Sequence, residues 1–352
     1  MFFIIGLMSG TSVDGVDASF IETNGDDYFK PIANLYLPYS QEFQIKLKKV
    51  MNDKRDWFDL EIELTKYHAN CVNALLVQNK IDKTKVTAIG FSGQTIYHNP
   101  KQGVTWQIGN PHLLAKLTNI DVISDFRRRD VAFGGNGAPL IPVFHQCLMH
   151  TQQSPVAMLN IGGVANITYI HDNEIIAFDT GPGNSLINDA MIKHYNKLYD
   201  HEGLTAKLGK INRKIIQQIL NHPFFNQLPP KSLDRNDFMH VAELVSNLTK
   251  EDSIATLTEL TVSSITAGIA LLPKVPLKVY LCGGGTHNKT ILESLQNHLN
   301  IHNIDELGCN PDFIESQGFA YLAARFLRKL PSSFSSTTGV TKPTIAGVLY
   351  SY

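Results

Sequence analysis

The chain has 352 residues, of which 43% are hydrophobic and 18% charged, a composition that excludes a disordered protein and is typical of globular domains. Its 31 basic and 32 acidic residues give a formal net charge of −1, so charge provides no argument for nucleic acid or an anionic membrane as a partner. None of the four cysteines lies in a C-x-x-C pair, which excludes a zinc framework or a disulfide scaffold and fits the reducing conditions of the cytoplasm.

The apolar residues 1–8 predict a buried first strand rather than a secretory signal. The stretch is short, has no basic segment, and is followed closely by Asp14 and Asp17. No apolar run approaches the roughly 18 residues that a membrane span requires. The length predicts about two domains at roughly 150 residues each.

The first half of the chain predicts a three-stranded meander followed by helices and strands in alternation. Asn110 followed by Pro111 is a typical helix start. The predicted strands lie at 2–7, 16–22, 31–37, 86–91 and 120–124, and the predicted helices at 41–51, 60–79 and 111–117.

The second half repeats this order, which predicts two α/β lobes facing a cleft, each a mixed sheet with helices packed on it. Its predicted strands lie at 156–160, 167–170, 174–179, 278–281 and 344–350, and its predicted helices at 184–197, 213–220, 251–272, 290–299 and 317–330.

Residues 9–17, after the first strand, have the composition of a phosphate-binding turn. Gly10 and Gly15 allow tight turns and a close approach to a ligand, and neighbouring hydroxyl and N–H groups can bind an anion. The carboxylates of Asp14 and Asp17 repel a bare phosphate but suit Mg²⁺. A hairpin turn without a ligand is an equally good interpretation of this segment alone.

Three further glycine segments follow strands in the second half. Gly162-Gly163 with Asn166 lies at the equivalent hairpin, so two such turns could bind one polyphosphate. Gly283-Gly284-Gly285 separates a strand from a helix and leaves room for a flat group or a phosphate. The segment matches neither a Walker A loop nor a dinucleotide fingerprint, and a tight strand-to-helix turn is the alternative.

In the third of these glycine segments, Asp179 ends an apolar strand and precedes Gly181-Pro182-Gly183. Carboxyl ends of strands are the usual ligand sites of α/β sheets, so a carboxylate there is a candidate general base. The alternative is a helix start in which Asn184 is the N-cap and Asp179 bonds the turn.

Other polar positions are less specific. Ser92 and Gln94 follow a predicted strand end, and Arg127 begins a basic run that is either a solvated turn or a ligand for a carboxylate. Glu315 starts the last long helix, where a carboxylate also complements the helix dipole.

Taken together and in this order, these segments resemble the anhydro-N-acetylmuramic acid kinase family of the actin, hexokinase and Hsp70-like ATPase superfamily. The resemblance runs from Gly6 to about Tyr350. Its carriers are Gly6-Leu7-Met8-Ser9-Gly10-Thr11-Ser12-Val13-Asp14-Gly15-Val16-Asp17, Ser92-Gly93-Gln94-Thr95, Asp125-Phe126-Arg127, Asn160-Ile161-Gly162-Gly163-Val164-Ala165-Asn166, Asp179-Thr180-Gly181-Pro182-Gly183-Asn184 and Gly283-Gly284-Gly285-Thr286-His287-Asn288.

The resemblance implies a duplicated ribonuclease H-like α/β fold of the actin-like ATPase type, with lobes at 1–130 and 131–352 and ATP in the cleft between them. It implies a catalytic Asp179, a Mg²⁺ bound to Asp14 through water, and a sugar near Ser92, Gln94, Arg127 and Glu315. The implied ATP-binding residues are Gly10, Thr11, Ser12, Val13, Asp14, Gly15, Val16, Asp17, Gly162, Gly163, Asn166, Gly283, Gly284 and Gly285.

The implied reaction converts 1,6-anhydro-N-acetylmuramic acid, ATP and water to N-acetylmuramic acid 6-phosphate and ADP, in the recycling of cell-wall sugars. The implied enzyme is cytoplasmic and homodimeric, with a small sugar as its partner and no nucleic acid or membrane. A kinase for another sugar, a non-catalytic nucleotide switch and a glycoside hydrolase are the alternatives. The glycine loops count against a hydrolase, which has no use for them.

Overall fold

The computed structural model describes residues 1–10, 12–53, 55, 57–172, 174–233 and 235–352. The chain forms two compact units, which we call unit 1 (Met1–His150 and Phe313–Tyr352) and unit 2 (Thr151–Asp312). The lobe boundary at residue 130 stays a prediction. The two compact units have other bounds than the predicted lobes, because unit 1 includes both 131–150 and the C-terminal segment 313–352.

Unit 1 begins with the predicted meander and the predicted alternation of helices and strands. The sequence did not predict the hairpin formed by Gln94–Asn99 and Val104–Ile108 or the helices Phe126–Ala132 and Pro142–Met149. The elements before unit 2 are β1 Phe2–Met8, β2 Gly15–Thr23, β3 Phe29–Pro38, α1 Gln41–Asp53, α2 Phe58–Gln78, β4 Ala88–Phe91, β5 Gln94–Asn99, β6 Val104–Ile108, α3 Pro111–Thr118, β7 Val122–Ser124, α4 Phe126–Ala132 and α5 Pro142–Met149.

Unit 2 has the same kind of order, and the chain then returns to complete unit 1. Unit 2 contains β8 Val156–Ile161, β9 Val164–His171, β10 Glu174–Pro182, α6 Ser185–Tyr195, α7 Arg213–Leu220, α8 Pro223–Asn226, α9 Val241–Leu244, α10 Lys250–Ala270, β11 Lys278–Cys282, α11 Lys289–Gln296 and β12 Ile301–Asn303. The returning elements are α12 Ile314–Leu327 and β13 Val348–Tyr350.

The two main sheets share the arrangement of five strands, and the unit 1 sheet has β13 as a sixth strand, antiparallel beside β7. The order in unit 1 is β13-β7-β4-β1-β2-β3, and the order in unit 2 is β10-β9-β8-β11-β12. In both, an antiparallel meander is extended beside its first strand by two strands parallel to that strand. This repeated order is the predicted duplicated ribonuclease H-like α/β fold.

Helix α12 packs on the unit 1 sheet over two glycines that leave no room for a side chain. A Cβ on Gly6 would lie 1.9 Å from the backbone oxygen of Ser316, and a Cβ on Gly90 would lie 2.2 Å from that of Phe319. Real atoms do not approach so closely, so glycine at these two positions sets the distance between helix and sheet.

The long helix α10 lies in the core of unit 2. By length and composition it could cross a membrane, and 72% of its most apolar stretch is buried in the structure. The expectation that no apolar run reaches this length overlooked it because Glu251, Asp252 and Glu259 interrupt the hydrophobic residues. Its buried residues, among them Ile254, pack in the unit 2 core, as expected for the core helix of a globular unit.

Candidate functional site

The three glycine segments of unit 2 lie at one edge of its sheet. Strands β8 and β10 both pair antiparallel with β9, and β11 pairs parallel with β8, so β8, β10 and β11 run in one direction. Their carboxyl ends therefore meet at the same edge, the usual position of a ligand site in such sheets. We call it the carboxyl edge of unit 2.

Strand register places a row of polar side chains at this edge. Asp179 pairs with Asn166, Asn166 pairs with Asn160, and Asn160 pairs with Cys282. Directly paired residues point to the same face of a sheet, so the four side chains share one face. Asp179 and Asn160 are buried, with 7% and 8% of their surfaces exposed.

The loop after α8 holds the Asp179 carboxylate in place. The backbone N–H of Leu233 donates to Asp179 Oδ2 at 2.8 Å, and the backbone N–H of Asp179 donates to the carbonyl of Lys231 at 3.1 Å. A bulge between Asp179 and Gly181 then shifts the register, and pairing with β9 resumes at Gly181 and Pro182. Asp179 is thus a buried, oriented carboxylate at the end of a strand, the placement expected of a general base.

Asn184 is the N-cap residue of α6, as the alternative interpretation predicted, but its side chain does not cap the helix. Its side-chain Nδ2 donates to the Ile161 carbonyl at 3.0 Å, and its side chain makes no capping hydrogen bond. The hairpin instead accepts the N–H of Ser185, the first residue of α6, at the Gly163 carbonyl at 3.2 Å. The N–H groups of Gly183 and Asn184, just before the helix, donate to the carbonyls of Gly163 and Gly162 at 2.9 and 2.8 Å. The Gly162-Gly163 hairpin and the Asp179 segment are therefore fastened together.

The glycines at the carboxyl edge of unit 2 differ in what surrounds them. A Cβ would lie 2.2 Å from Asn160 Oδ1 at Gly283 and 2.3 Å from Ile161 Cγ2 at Gly285, so packing alone requires glycine there. At Gly284 no atom lies within 4 Å of a Cβ, and at Gly162 the nearest lies at 3.4 Å. These two glycines leave a backbone surface that a ligand could approach.

Strands β1, β3, β4 and β7 of unit 1 also share a direction, and a buried hydrogen-bond chain supports the first glycine turn there. Tyr39 donates to Ser9 Oγ at 2.8 Å, Ser9 donates to Gln94 Oε1 at 2.6 Å, and Gln94 Nε2 donates to the Gly10 carbonyl at 3.2 Å. Burial raises the pKa of Tyr39, which therefore stays a protonated donor. Gln94 is fully buried, and its hydrogen bond to the Gly10 carbonyl fixes the position of the turn.

The turn itself is strained and carries an exposed carboxylate. Val13 is buried and has φ of 58°, a left-handed conformation that is costly for a β-branched residue. Ser12 Oγ donates to Asp14 Oδ1 at 2.7 Å, and Tyr39 N–H donates to the Asp14 carbonyl at 2.8 Å. Thr11 lies outside the described residues. Strain of this kind is typical of ligand-binding turns.

A cavity in unit 1 brings together two of the residues predicted to bind the sugar, Ser92 and Arg127. Arg127 lies in helix α4 rather than in a solvated turn, and its Nη1 donates to the Gly137 carbonyl at 2.8 Å. Gln94 and Glu315 are not among the lining residues. The lining residues are Glu61, Ser92, Gly93, Trp106, Gln107, Gly109, Asn110, Pro111, His112, Ser124, Asp125, Phe126, Arg127, Arg128 and Tyr350.

The cavity combines a second arginine with an aromatic ring. Arg128 Nη1 lies 3.0 Å from Asp125 Oδ1, and its guanidinium lies 4.5 Å from the centre of the Trp106 ring. Arg127, which lines the same cavity, is the residue predicted to bind a ligand carboxylate. Glu315 lies in the first turn of α12, as predicted, and is half-buried.

Comparison with known proteins decides the family. The family model described as anhydro-N-acetylmuramic acid kinase matches residues 2–352. The chain belongs to the anhydro-N-acetylmuramic acid kinase family. Its predicted enzyme class, an ATP-dependent carbohydrate kinase, is thereby confirmed.

Individual relatives of this kinase family match over nearly their whole length. A protein named anhydro-N-acetylmuramic acid kinase from Zymomonas mobilis is 40% identical, covering 98% of this chain and 99% of the relative. One of the same name from Gluconobacter oxydans is 41% identical, covering 99% of both. Component A of (R)-2-hydroxyglutaryl-CoA dehydratase from Acidaminococcus fermentans, a solved structure, is 12% identical with a TM-score of 0.48, covering 92% of this chain and 99% of its own.

Sequence reasoning missed Lys231 at this kinase's candidate site. No role was assigned to residues 200–249, yet Lys231 is buried and its backbone binds that of Asp179. The one local signal is a lysine that follows Pro229 and Pro230. A sequence cannot show that this loop folds back onto β10.

Proposed function

We propose that this chain opens the anhydro ring of 1,6-anhydro-N-acetylmuramic acid with water and transfers the γ-phosphoryl group of ATP to the sugar O6. The products are N-acetylmuramic acid 6-phosphate and ADP. The reaction serves the recycling of peptidoglycan sugars. A cytoplasmic location and a homodimer, both implied by the family resemblance, belong to the same proposal.

The observation that carries the proposal is the placement of Asp179. A buried carboxylate, oriented by the Leu233 N–H, lies in one row with Asn166 and Asn160 at the carboxyl edge where the glycine loops meet. A kinase needs such a group to activate a nucleophile, and a polar row to position it.

In the proposed step, the carboxylate of Asp179 removes a proton from a water molecule, whose oxygen bonds to the anomeric carbon. The bond between that carbon and O6 breaks, and O6 takes over the electron pair. O6 then bonds to the γ-phosphorus as the bond to the bridging oxygen of ADP breaks. One proton is released overall, from the water by way of Asp179.

The glycines without close neighbours support nucleotide binding. Gly162 and Gly284 in unit 2 and Gly10 in unit 1 have room where a Cβ would stand, so a phosphate or a flat base could approach their backbones. We assign the phosphates of ATP to 10–17 and 162–166, and the adenosine to 283–285. Gly15, Gly283 and Gly285 shape these loops through packing instead.

The donor set fits Mg²⁺ that is bound mainly by phosphate and water. Among the described residues no group of three His, Cys, Asp or Glu side chains could hold a metal. Mg²⁺ in nucleotide sites commonly keeps several waters and needs only one or two carboxylates. The exposed Asp14 would hold it through water, and bound Mg²⁺ supplies charge neutralisation to the phosphates.

The unit 1 cavity suits a sugar that carries a carboxylate. The lactyl group of the substrate is such a carboxylate, and Arg127 lines the cavity with Ser92 beside it. Arg127 Nη1 donates to the carbonyl of Gly137. This hydrogen bond fixes the orientation of the guanidinium before a ligand binds. A fixed guanidinium binds a carboxylate at a lower entropic cost than a mobile one. Gln94 and Glu315 stay predicted contacts of the sugar.

We expect Gly284→Val to raise the Kd for ATP at least about tenfold without unfolding the protein. A branched side chain would occupy the open space over this loop, and no protein atom lies within reach of its Cβ. Isothermal titration calorimetry with ATP gives the Kd, and thermal unfolding checks the fold. Gln296→Val, on the exposed surface of α11, is the control. Equal ATP affinity in all three proteins would remove Gly284 from the nucleotide site.

The proposed function is tested by mass spectrometry of products formed from the purified protein, MgATP and 1,6-anhydro-N-acetylmuramic acid in ¹⁸O-labelled water. We expect one ¹⁸O at the anomeric position together with one new phosphate on the same molecule. Phosphorylation of another sugar and not of this one would keep the kinase and reject the substrate. Ring opening without ADP would indicate a hydrolase, and ADP release that no sugar stimulates would indicate a nucleotide switch.

A further inference from the structure

Asp130 is a fully buried carboxylate in helix α4, three residues after Arg127. Its two oxygens accept hydrogen bonds from two different segments of unit 1. The N–H of Gly137 donates to Asp130 Oδ1 at 2.6 Å, and the hydroxyl of Thr338 donates to Asp130 Oδ2 at 2.6 Å. A carboxylate is rarely buried this completely unless such donors replace the water that it has lost.

The loop 133–141, between α4 and α5, folds back over this carboxylate. The N–H of Gly135 donates to the backbone carbonyl of Asp130 at 3.0 Å. A Cβ on Gly135 would lie 2.2 Å from Asp130 Oδ1, so glycine is required for the loop backbone to come this close. Gly137 has φ of 69°, a left-handed conformation that glycine adopts without strain. The shape of the loop therefore depends on its contacts with Asp130.

Thr338, in the C-terminal segment of unit 1, binds the same loop a second time. Its carbonyl accepts the N–H of Asn136 at 2.6 Å, in addition to the hydrogen bond from its hydroxyl to Asp130. Thr338 is fully buried, and its own N–H donates to the carbonyl of Phe334 at 3.1 Å. The loop is thus held from two sides, by the helix that precedes it and by a residue that lies 208 positions after Asp130.

The loop in turn supplies a hydrogen-bond acceptor to Arg127. The carbonyl of Gly137 accepts Arg127 Nη1 at 2.8 Å, while the N–H of the same glycine donates to Asp130. Gly137 is therefore bound by Asp130 through one backbone group and binds Arg127 through the other. Any displacement of Gly137 would move the acceptor that orients the guanidinium lining the unit 1 cavity.

We propose that Asp130 and Thr338 are positioning residues for the substrate carboxylate. Together they hold Gly137 where its carbonyl keeps the Arg127 guanidinium in its binding orientation. The inference rests on the proposed function, in which Arg127 binds the lactyl carboxylate. Both residues lie outside the lining of the cavity, so they act through Arg127. A guanidinium that is already ordered loses less freedom when the carboxylate binds, and the affinity is higher.

The first test is calorimetry of sugar binding to wild type, Asp130→Ala and Thr338→Val. The probes are 1,6-anhydro-N-acetylmuramic acid and 1,6-anhydro-N-acetylglucosamine, which lacks the lactyl group. For the acidic sugar we expect Kd to rise about tenfold in Asp130→Ala and about threefold in Thr338→Val, because Arg127 would have to be ordered on binding. For the sugar without the lactyl group, Kd should stay within about twofold of wild type, since that sugar has no carboxylate for Arg127.

Thr338→Ser and Thr337→Val are the matched controls. Serine keeps the hydroxyl that donates to Asp130, so Thr338→Ser should have the wild-type Kd for both sugars. Thr337 is buried in the same segment, and its hydroxyl donates to the carbonyl of Phe334 at 3.1 Å. Thr337→Val therefore makes the same chemical change beside the loop and should leave both Kd values unchanged.

An equal rise of Kd for both sugars in Asp130→Ala and Thr338→Val would overturn the proposal and leave the two residues with a structural role. A wild-type Kd for the acidic sugar in Thr338→Val would also overturn it. This nearly isosteric variant decides the question by itself if Asp130→Ala does not fold.

A second measurement follows Arg127 without any sugar. The ¹⁵N relaxation of the Arg127 Nε–H group, assigned with the help of Arg127→Lys, reports how rigidly the guanidinium is held. Its order parameter should fall by about 0.2 in Asp130→Ala and Thr338→Val and keep the wild-type value in Thr337→Val. An unchanged order parameter in all variants would overturn the proposal. If wild type binds neither sugar, the proposed function fails, and the relaxation data still decide whether Asp130 and Thr338 hold Arg127.

Discussion

Asp179→Asn should lower kcat for the sugar-dependent reaction by about 10³-fold while the Kd for ATP stays within about twofold of wild type. The amide has nearly the shape of the carboxylate and can still accept the N–H of Leu233 through its oxygen. What it lacks is basicity, so water would no longer be deprotonated as it attacks the anomeric carbon. Steady-state kinetics and calorimetry measure the two quantities separately.

Glu174→Gln is the matched control for this substitution. Glu174 is exposed and begins the same strand, so the change removes one negative charge from β10 without touching the carboxyl edge of unit 2. Its kcat should equal that of wild type. If Asp179→Asn keeps kcat within a few fold, another group is the base and the proposed mechanism is wrong.

The largest effect on stability is expected for Gly6→Ala, which should lower the free energy of unfolding by about 3 kcal/mol. The added Cβ would lie 1.9 Å from the Ser316 oxygen and 2.6 Å from the Ala320 nitrogen. Both are backbone atoms of α12, so relief requires the whole helix to move away from β1. Urea unfolding followed by circular dichroism measures the loss.

Gly10→Ala, four residues further along in the same motif, provides the contrast. The nearest atom to its Cβ is Ser12 Oγ at 3.6 Å, so its stability should stay within about 0.5 kcal/mol of wild type. Two glycines of one motif would then be separated by experiment into one that packing requires and one that a ligand can approach. A similar loss of stability in both variants would contradict this division.

Much of the fold could be predicted from the sequence because its determinants are local. Alternating apolar residues and turn residues mark both meanders, and Asn110 accepts the N–H of Leu113 at the start of α3, as the Asn-Pro pair indicates. Helix α4 was not predicted, because three consecutive arginines, beginning at Arg127, interrupt the pattern of the few apolar residues that it buries. The short helices and β5–β6 likewise depend on contacts that no local pattern records.

The candidate site could be predicted only as far as its motifs. The sequence indicates that Asp179 and the glycine loops follow strands, but the row that joins Asp179, Asn166 and Asn160 depends on strand register. Lys231 could not be found, because its importance comes from a loop that returns to β10 over a distance of some fifty residues. Whether a glycine is closely packed or open depends on the atoms around it, and only the structure gives their positions.

The path of the chain through the two units has a consequence for synthesis on the ribosome. Unit 2 is one continuous segment, Thr151–Asp312, whereas unit 1 lacks α12 and β13 until the last forty residues have been made. The face of β1 and β4 that α12 covers, with Gly6 and Gly90 at its centre, therefore stays bare while unit 2 emerges. Unit 2 can complete its core first, and the portion of unit 1 made earlier must wait, with apolar surface available to chaperones, for the C-terminal helix to arrive.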